Sequence, residues 1–385
     1  MSTITLQHLL DACSPGGASV LTSVTPLEPA AGPHASVAPA KFVSGSKSVF
    51  AYERRFWNGE TATAVLIDSK QSQNNRLEAA VSAAIADEDP VLTRTPRIEL
   101  RFEDGQVYND MDLPHRAFDG QIRAGTINGE PATAVQKYRE LRDSTVAHAR
   151  PLLERSPMTL LLGGWDASRK SHQGRYRSIL VGEIIGILAD QDGGPEANQS
   201  KRGGARIDPV GMRIDLGDKA RKAIADAQKH ELSASTHKSA SGKTGKASTL
   251  GLGGVPPSLE QLGGVTCQAI IRSHVLSFAA LRALRFDSPT PEGDVACRAL
   301  LAALALNGLA RSDAELLLRA NCDLVETGPA VVTLDRRYGQ KESFEPLSID
   351  QAQELLSVAI DNATQTANLT WDGSVLVVEG NPAIL

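Results

Sequence analysis

Aromatic side chains make up only 4% of this 385-residue sequence, which argues against a binding surface built mainly from stacked rings. There are four cysteines, Cys13, Cys267, Cys297 and Cys322, far apart and without a C-x-x-C spacing. Neither a disulfide framework nor a zinc site is expected from them, and buried free thiols are. No run of 18 apolar residues occurs, and the N-terminus lacks a basic stretch followed by an apolar one. A soluble, cytoplasmic protein without a membrane partner is the expectation. The hydrophobic fraction, 41%, is nevertheless enough for a sizeable core in one large domain or two.

A formal charge of −5 does not suit a generic nucleic-acid binder, but the charge is unevenly placed. From Gln199 to Thr249 eleven Lys and Arg stand against five Asp and Glu, whereas from Phe286 onward fifteen acids stand against six bases. Opposite local signs permit a basic groove on an acidic body, and head-to-tail self-association.

The most informative stretch runs from Ala62 to Ile85. Ala62 to Ile67 is a short β-prone run, and Leu77, Ala80, Val81, Ala84 and Ile85 recur at helical spacing. Between them lie ten residues, Asp68 to Leu77, of which nine are polar. Asp68 or Ser69 can cap the helix. Capping leaves the density of donors unexplained: Ser69, Lys70, Gln71, Ser72, Gln73, Asn74, Asn75 and Arg76. A strand-to-helix junction of this kind offers free backbone N–H groups, a positive dipole end and neutral amides to an anionic ligand.

Asp68-Ser-Lys-Gln-Ser-Gln-Asn-Asn-Arg-Leu-Glu78 resembles the DS-x-QS-x-x-NR-x-E signature of a CRISPR-associated family. That family is the crRNA-binding backbone subunit of type I-G (formerly I-U) effector complexes, a branch of the RAMP superfamily. Three further stretches fit in order: Leu113 to Asp119, Gly164 to Ser168 running on to Gly182–Gly186, and Gly253 to Pro257 with Gly263 to Val265. The resemblance implies an α+β fold with an RRM-like (ferredoxin-like) palm, helical insertions and a projecting thumb-like segment. It implies one RAMP-type domain over 1–385, with 191–254 as the flexible basic thumb-like insertion; the last hundred or so residues carry no matching motif, and charge and pattern make 286–385 an acidic helical and β C-terminal elaboration. The implied function is to line up in copies along one crRNA and hold it for pairing with target DNA, with no catalysis, cofactor or metal. The implied neighbours are a large subunit, an end-capping and processing subunit, and a recruited helicase-nuclease.

Taken in order, Thr3 to Ala12 reads as a helix, Ala18 to Val24 as a strand and Pro26 to Pro39 as a loop. Ser48 to Trp57 and Thr61 to Ile67 form a hairpin about Asn58-Gly59, a pair suited to a tight primed turn. Ile98 to Phe102 alternates as a strand. His115 and Arg116 have no general-base partner at a recognisable spacing, so a structural or RNA-contacting role is expected for them. Thr133 to Leu153 reads as a helix with Val135, Tyr138, Leu141 and Val146 buried, and Met158 to Leu162 as an apolar strand.

The loop from Trp165 to Arg177 carries Arg169, Lys170, Arg175 and Arg177 with Trp165 and Tyr176 interleaved. Cations for phosphates and planar groups for bases are what single-stranded RNA recognition uses. Lys201, Arg202 and Arg206 extend the cationic set. Ser178 to Leu188 is a strand, Arg206 to Leu216 a strand or hairpin arm, Asp218 to Leu232 a helix, and Ser233 to Gly254 a disordered low-complexity segment. Gly242-Lys243-Thr244 is not a P-loop, because the glycine required five residues earlier is His237.

Gln268 to Leu284 fits a helix with His274 on its apolar stripe, where a core histidine is the expectation. Asp294 to Leu309, Asp313 to Ala320 and Ile349 to Ala363 read as helices, Val331 to Leu334 and Leu369 to Val378 as strands. Two rival functions are a RAMP-type metal-dependent endoribonuclease acting through Asp68, Asp119 or Asp166, and a plain scaffold that binds no nucleic acid.

Overall fold

A computed structural model describes residues 2–201, 216–252 and 262–384. Two compact units are present, residues 199–264 forming one and the rest of the chain the other. In chain order the larger unit begins with α1 (Leu6–Cys13), β1 (Val20–Pro29), β2 (Lys41–Ser44), β3 (Lys47–Phe50), β4 (Tyr52–Trp57), β5 (Glu60–Asp68) and α2 (Lys70–Ala86). There follow β6 (Arg97–Arg101), β7 (Val107–Asn109), α3 (Gly120–Ala124), β8 (Thr126–Ile127), β9 (Glu130–Pro131), α4 (Gln136–Asp143), α5 (Arg150–Leu153) and α6 (Pro157–Leu162). Next are β10 (Gly164–Trp165), β11 (Arg175–Tyr176), β12 (Leu180–Leu188) and α7 (Gly194–Asn198). The smaller unit holds β13 (Gln199–Lys201), α8 (Asp218–Ala227), α9 (Ala234–Ser241) and β14 (Leu262–Val265). The larger unit resumes with β15 (Cys267–Ser277), α10 (Phe278–Ala283), α11 (Pro291–Ala314), β16 (Leu324–Glu326), β17 (Val331–Asp335), β18 (Lys341–Phe344), α12 (Ile349–Ala367) and β19 (Val375–Glu379).

The fold is α+β. An eight-stranded sheet runs β18-β17-β1-β15-β12-β5-β4, with β16 also on β1, and its pairings are antiparallel. Leu21, Leu180, Leu276 and Leu334 from one face of this sheet share a core with Leu9 of α1, Leu77 of α2, Leu304 of α11 and Leu356 of α12. α11 is long and apolar enough to cross a bilayer by length and composition alone, yet 83% of its most apolar window is buried within the protein. It lies close to α2 because Gly308 has no side chain: a Cβ there would come within 2.7 Å of Leu77. A second sheet, β7-β6-β19-β8-β9, joins the early strands to the last one, with β6 and β19 parallel.

The β4–β5 hairpin forms as its turn chemistry dictates, with Asn58 and Gly59 both at positive φ (49° and 86°). Several other segments differ from their sequence pattern. Residues 268–284 form a central strand, β15, and only then the short α10. Ile270, Arg272, His274 and Leu276 point alternately into the core, as period two requires. Met158 to Leu162 lies in a helix opened by Pro157, which suits a first helical turn. The helix expected over 133–153 is broken into α4 and α5, leaving Val146 exposed. β1 runs through Pro26 to Pro29, residues 315–319 are not helical, and Ser233 to Gly254 is ordered over its described part as α9 and a 3-10 turn at Ala247–Leu250.

His274 is buried, and desolvation with the Arg272 charge lowers its pKa to about 3, so it sits in the core as a neutral ring. It packs over Gly182, where a Cβ would lie 2.1 Å from its Cδ2. Gly182→Ala is therefore expected to destabilise the protein by about 1–3 kcal/mol through overpacking, measured by urea unfolding. A smaller loss in the Gly182→Ala/His274→Ala pair than the sum of singles would locate the clash; additive losses would refute it.

Candidate nucleic-acid interface

β5 reaches its end with a register shift against β12 between Ile184 and Ile185, and the shift turns Asp68 into the interior. Ser69 caps α2, its Oγ accepting from Ser72 N at 3.3 Å. Asp68 does other work. Its fully buried carboxylate accepts from Ser72 Oγ (3.0 Å), Gln73 Nε2 (2.6 Å), Arg76 Nε (3.1 Å) and Arg319 Nη2 (2.5 Å). Burial pushes the Asp68 carboxyl up, but the bonds from Arg76, Gln73 and Ser72 and the Arg76 charge outweigh it and hold it below its usual value. Arg76 also donates to Leu317 O, and Arg319 to Ile67 O at 2.7 Å. Arg76, one of the donors expected to face an anionic ligand, is here part of a structural ion-pair hub.

The same holds for several other members of the expected set. Arg116 grips the buried carboxylate of Glu78 through Nε and Nη2 (2.7 Å for the latter), and donates through Nη1 to Gly163 O at 3.0 Å. Burial raises the Glu78 pKa to about 7, against the lowering effect of Arg116. These bonds tie the signature helix, the 113–119 motif and the turn before Gly164 into one assembly. Arg169 donates to Asp143 (2.7 Å) and to Arg142 O (2.8 Å), and Tyr176 is buried against Phe118, stacked at 15°. The three aspartates of the ribonuclease alternative are likewise engaged. Besides Asp68, Asp119 caps α3 through Gln121 N (2.9 Å), and buried Asp166 binds Arg142 twice, at 2.8 and 3.0 Å.

What remains open to solvent forms a groove of about 540 Å³ where the first two motif stretches meet. Lys70, Gln71, Asn74 and Asn75 line it from α2, Asp112, Leu113 and Arg116 from around the second motif, Ser178 from the approach to β12 and Val181 from β12 itself. Lys70 is 58% exposed, with Glu183 at 3.8 Å. Arg177 adjoins Ser178 and is exposed, as are Lys170, His115 and Arg175. Arg175 lies over the half-exposed Trp165 ring at 4.5 Å, giving a flat cationic platform at the tip of β10–β11. Lys201 is exposed at the end of β13 in the smaller unit, while Arg202 and Arg206 lie outside the described residues. A larger cavity of about 810 Å³, between α1, the start of α11 and α12, is lined by both charge signs and by none of the motif residues.

Arg319 and Arg142 are the supporting residues that sequence patterns miss, since each finds its carboxylate only through tertiary packing.

Residues 21–191 match the model of a family described as CRISPR-associated protein GSU0053. The match indicates a CRISPR-associated protein. It covers β1 through β12 and with them all of the groove lining, though less than half of the chain. Comparison with curated proteins gives no match.

Proposed function

We propose that this chain is a crRNA-binding backbone subunit of a type I-G CRISPR effector complex, working in the cytoplasm. In this reading the eight-stranded sheet and its helices are the RRM-like palm, and the basic unit of residues 199–264 is the thumb-like insertion. Copies line up along one guide, grip its phosphates and ribose hydroxyls, and leave its bases free to pair with target DNA, so that pairing and not the protein reads sequence. The large subunit, the end-capping and processing subunit and the helicase-nuclease are its partners in the complex.

The observation that carries the reading is the motif-lined groove. Its donors are neutral amides and Lys70, next to the Asp112 carboxylate, with exposed Arg177 adjoining Ser178 and the exposed cations Lys170 and Arg175 on the β10–β11 loop, a chemistry that holds a nucleic-acid backbone without selecting bases. No step of this role needs an active site. Protein purified from cells that express a guide array should carry RNA of guide length, read as a raised 260 nm absorbance and as a band on a denaturing gel. Protein free of nucleic acid from such cells would overturn the proposal. Metal-dependent cutting of single-stranded RNA would favour the ribonuclease instead.

A further inference from the structure

The hairpin β2–β3 stands out from the sheet. All four residues of β2 are exposed, Val43 at 82% and Phe42 at 39%. From Lys41 to Phe50 the hairpin carries two lysines and no acid. Its root is fixed: Ala40 N donates to Ile67 O (3.0 Å), Leu66 N to Ala51 O (2.9 Å), and Phe50 is buried. Two apolar side chains held in water between cations are a cost unless something covers them.

A surface of matching character lies elsewhere on the same sheet, on the face turned away from the helices. Val24 of β1 and Val331 of β17 are direct cross-strand partners, 38% and 59% exposed. Val325, 43% exposed, stands opposite Glu28, and exposed Pro26 stands opposite Ile271. Glu28 has no charged partner among the described residues, and Asp335, at the far end of β17, has only Lys341 at 3.8 Å. The hairpin is basic and apolar, and this face is acidic-rimmed and apolar.

The two surfaces sit toward opposite edges of the sheet. The hairpin springs from β4 and β5, and β12 and β15 intervene before β1. Three interstrand steps amount to about 14 Å, and the exposure of Val24 and Val331 shows that the molecule's own hairpin does not cover them. We infer that the hairpin of one copy docks on the Val24–Val331 face of the next, with Lys41, which shares a hairpin face with Val43, facing Glu28. Such a contact uses two different surfaces, so it can repeat head to tail from copy to copy. It rests on the backbone reading above and gives it an interface.

Val43→Asp and Val331→Arg test it, each as the full chain with unstructured single-stranded RNA. Light scattering should show wild-type chains assembling on RNA and each variant failing to do so. RNA affinity at low occupancy should stay within about two-fold of wild type, as for distant surface changes. The decisive arm is the mixture. The Val331→Arg chain keeps an intact hairpin and the Val43→Asp chain an intact face, so together they should give dimers. A mixture that stays monomeric, or single variants that assemble normally, overturns the docking. Loss of RNA affinity in Val43→Asp alone would overturn it too, by assigning the hairpin to RNA. If wild type binds no RNA, the backbone reading falls. The docking is then judged by wild-type and mixed-variant self-association at high protein concentration.

Discussion

Asp68→Ala is expected to destabilise the protein by about 3–5 kcal/mol, the usual loss when one partner of a buried ion pair is removed. The substitution leaves Arg76 and Arg319 without their shared acceptor, and Ser72 and Gln73 without theirs. Two effects moderate the loss. Removing the carboxylate also removes its own desolvation cost, and the two guanidinium groups, 25% and 29% exposed, can turn partly toward water. The lower end of the range is therefore expected. Urea unfolding measures it, and an Asp68→Ala protein as stable as wild type would refute the hub. Arg319→Ala is the companion variant. It lies far from the signature in sequence, yet should loosen the start of α2 and weaken RNA binding along with stability.

Replacing Lys70, Lys170, Arg175 and Arg177 together by Ala should weaken binding to unrelated guide RNAs about equally. Each phosphate contact on a single strand contributes about 0.7 to the slope of log affinity against log salt. Four lost contacts would flatten that slope by up to about 3, which is roughly 50-fold less loss of affinity over a fourfold rise in salt. Fluorescence anisotropy over a salt series reads both quantities. Arg169→Ala serves as the contrast. Its guanidinium already serves Asp143 and the Arg142 carbonyl, so the slope should stay unchanged while the loop loosens. An unaltered slope in the fourfold variant would remove these cations from the interface.

The parts of the fold legible in sequence are those whose cause is local. Asn58-Gly59 specifies its turn by backbone chemistry, and Ser69 marks the start of α2 by its cap. β15 is misleading because its half-buried outer face is apolar as well as its core face. Ile271 and Val275 there, with Ile270 on the core face and Phe278 at the start of α10, satisfy helical spacing. Arg272 added to the ambiguity: an arginine reads as solvated, whereas here it is buried, with Glu326 at 2.9 Å and Asp313 at 3.2 Å. At the site, the residues of the 68–78 and 113–119 motifs line one groove, while 253–257 lie outside the described residues. Their availability was not legible. Whether an arginine is free for a phosphate depends on acceptors such as Leu317 O, 241 positions from Arg76, which no local pattern reveals.

The placement of β19 bears on how the chain can be made. It sits in the middle of its sheet, with β6 on one side and β8 on the other, and Thr126 bonds Glu379 across 253 positions. During synthesis at the ribosome, β6 and β8 must wait, each with an unpaired edge, until residues 375–379 emerge. That interval is a window for aggregation or chaperone capture, and a nascent chain stalled before residue 375 would carry the whole groove-lining sequence and still lack the strand that joins the two halves of this sheet.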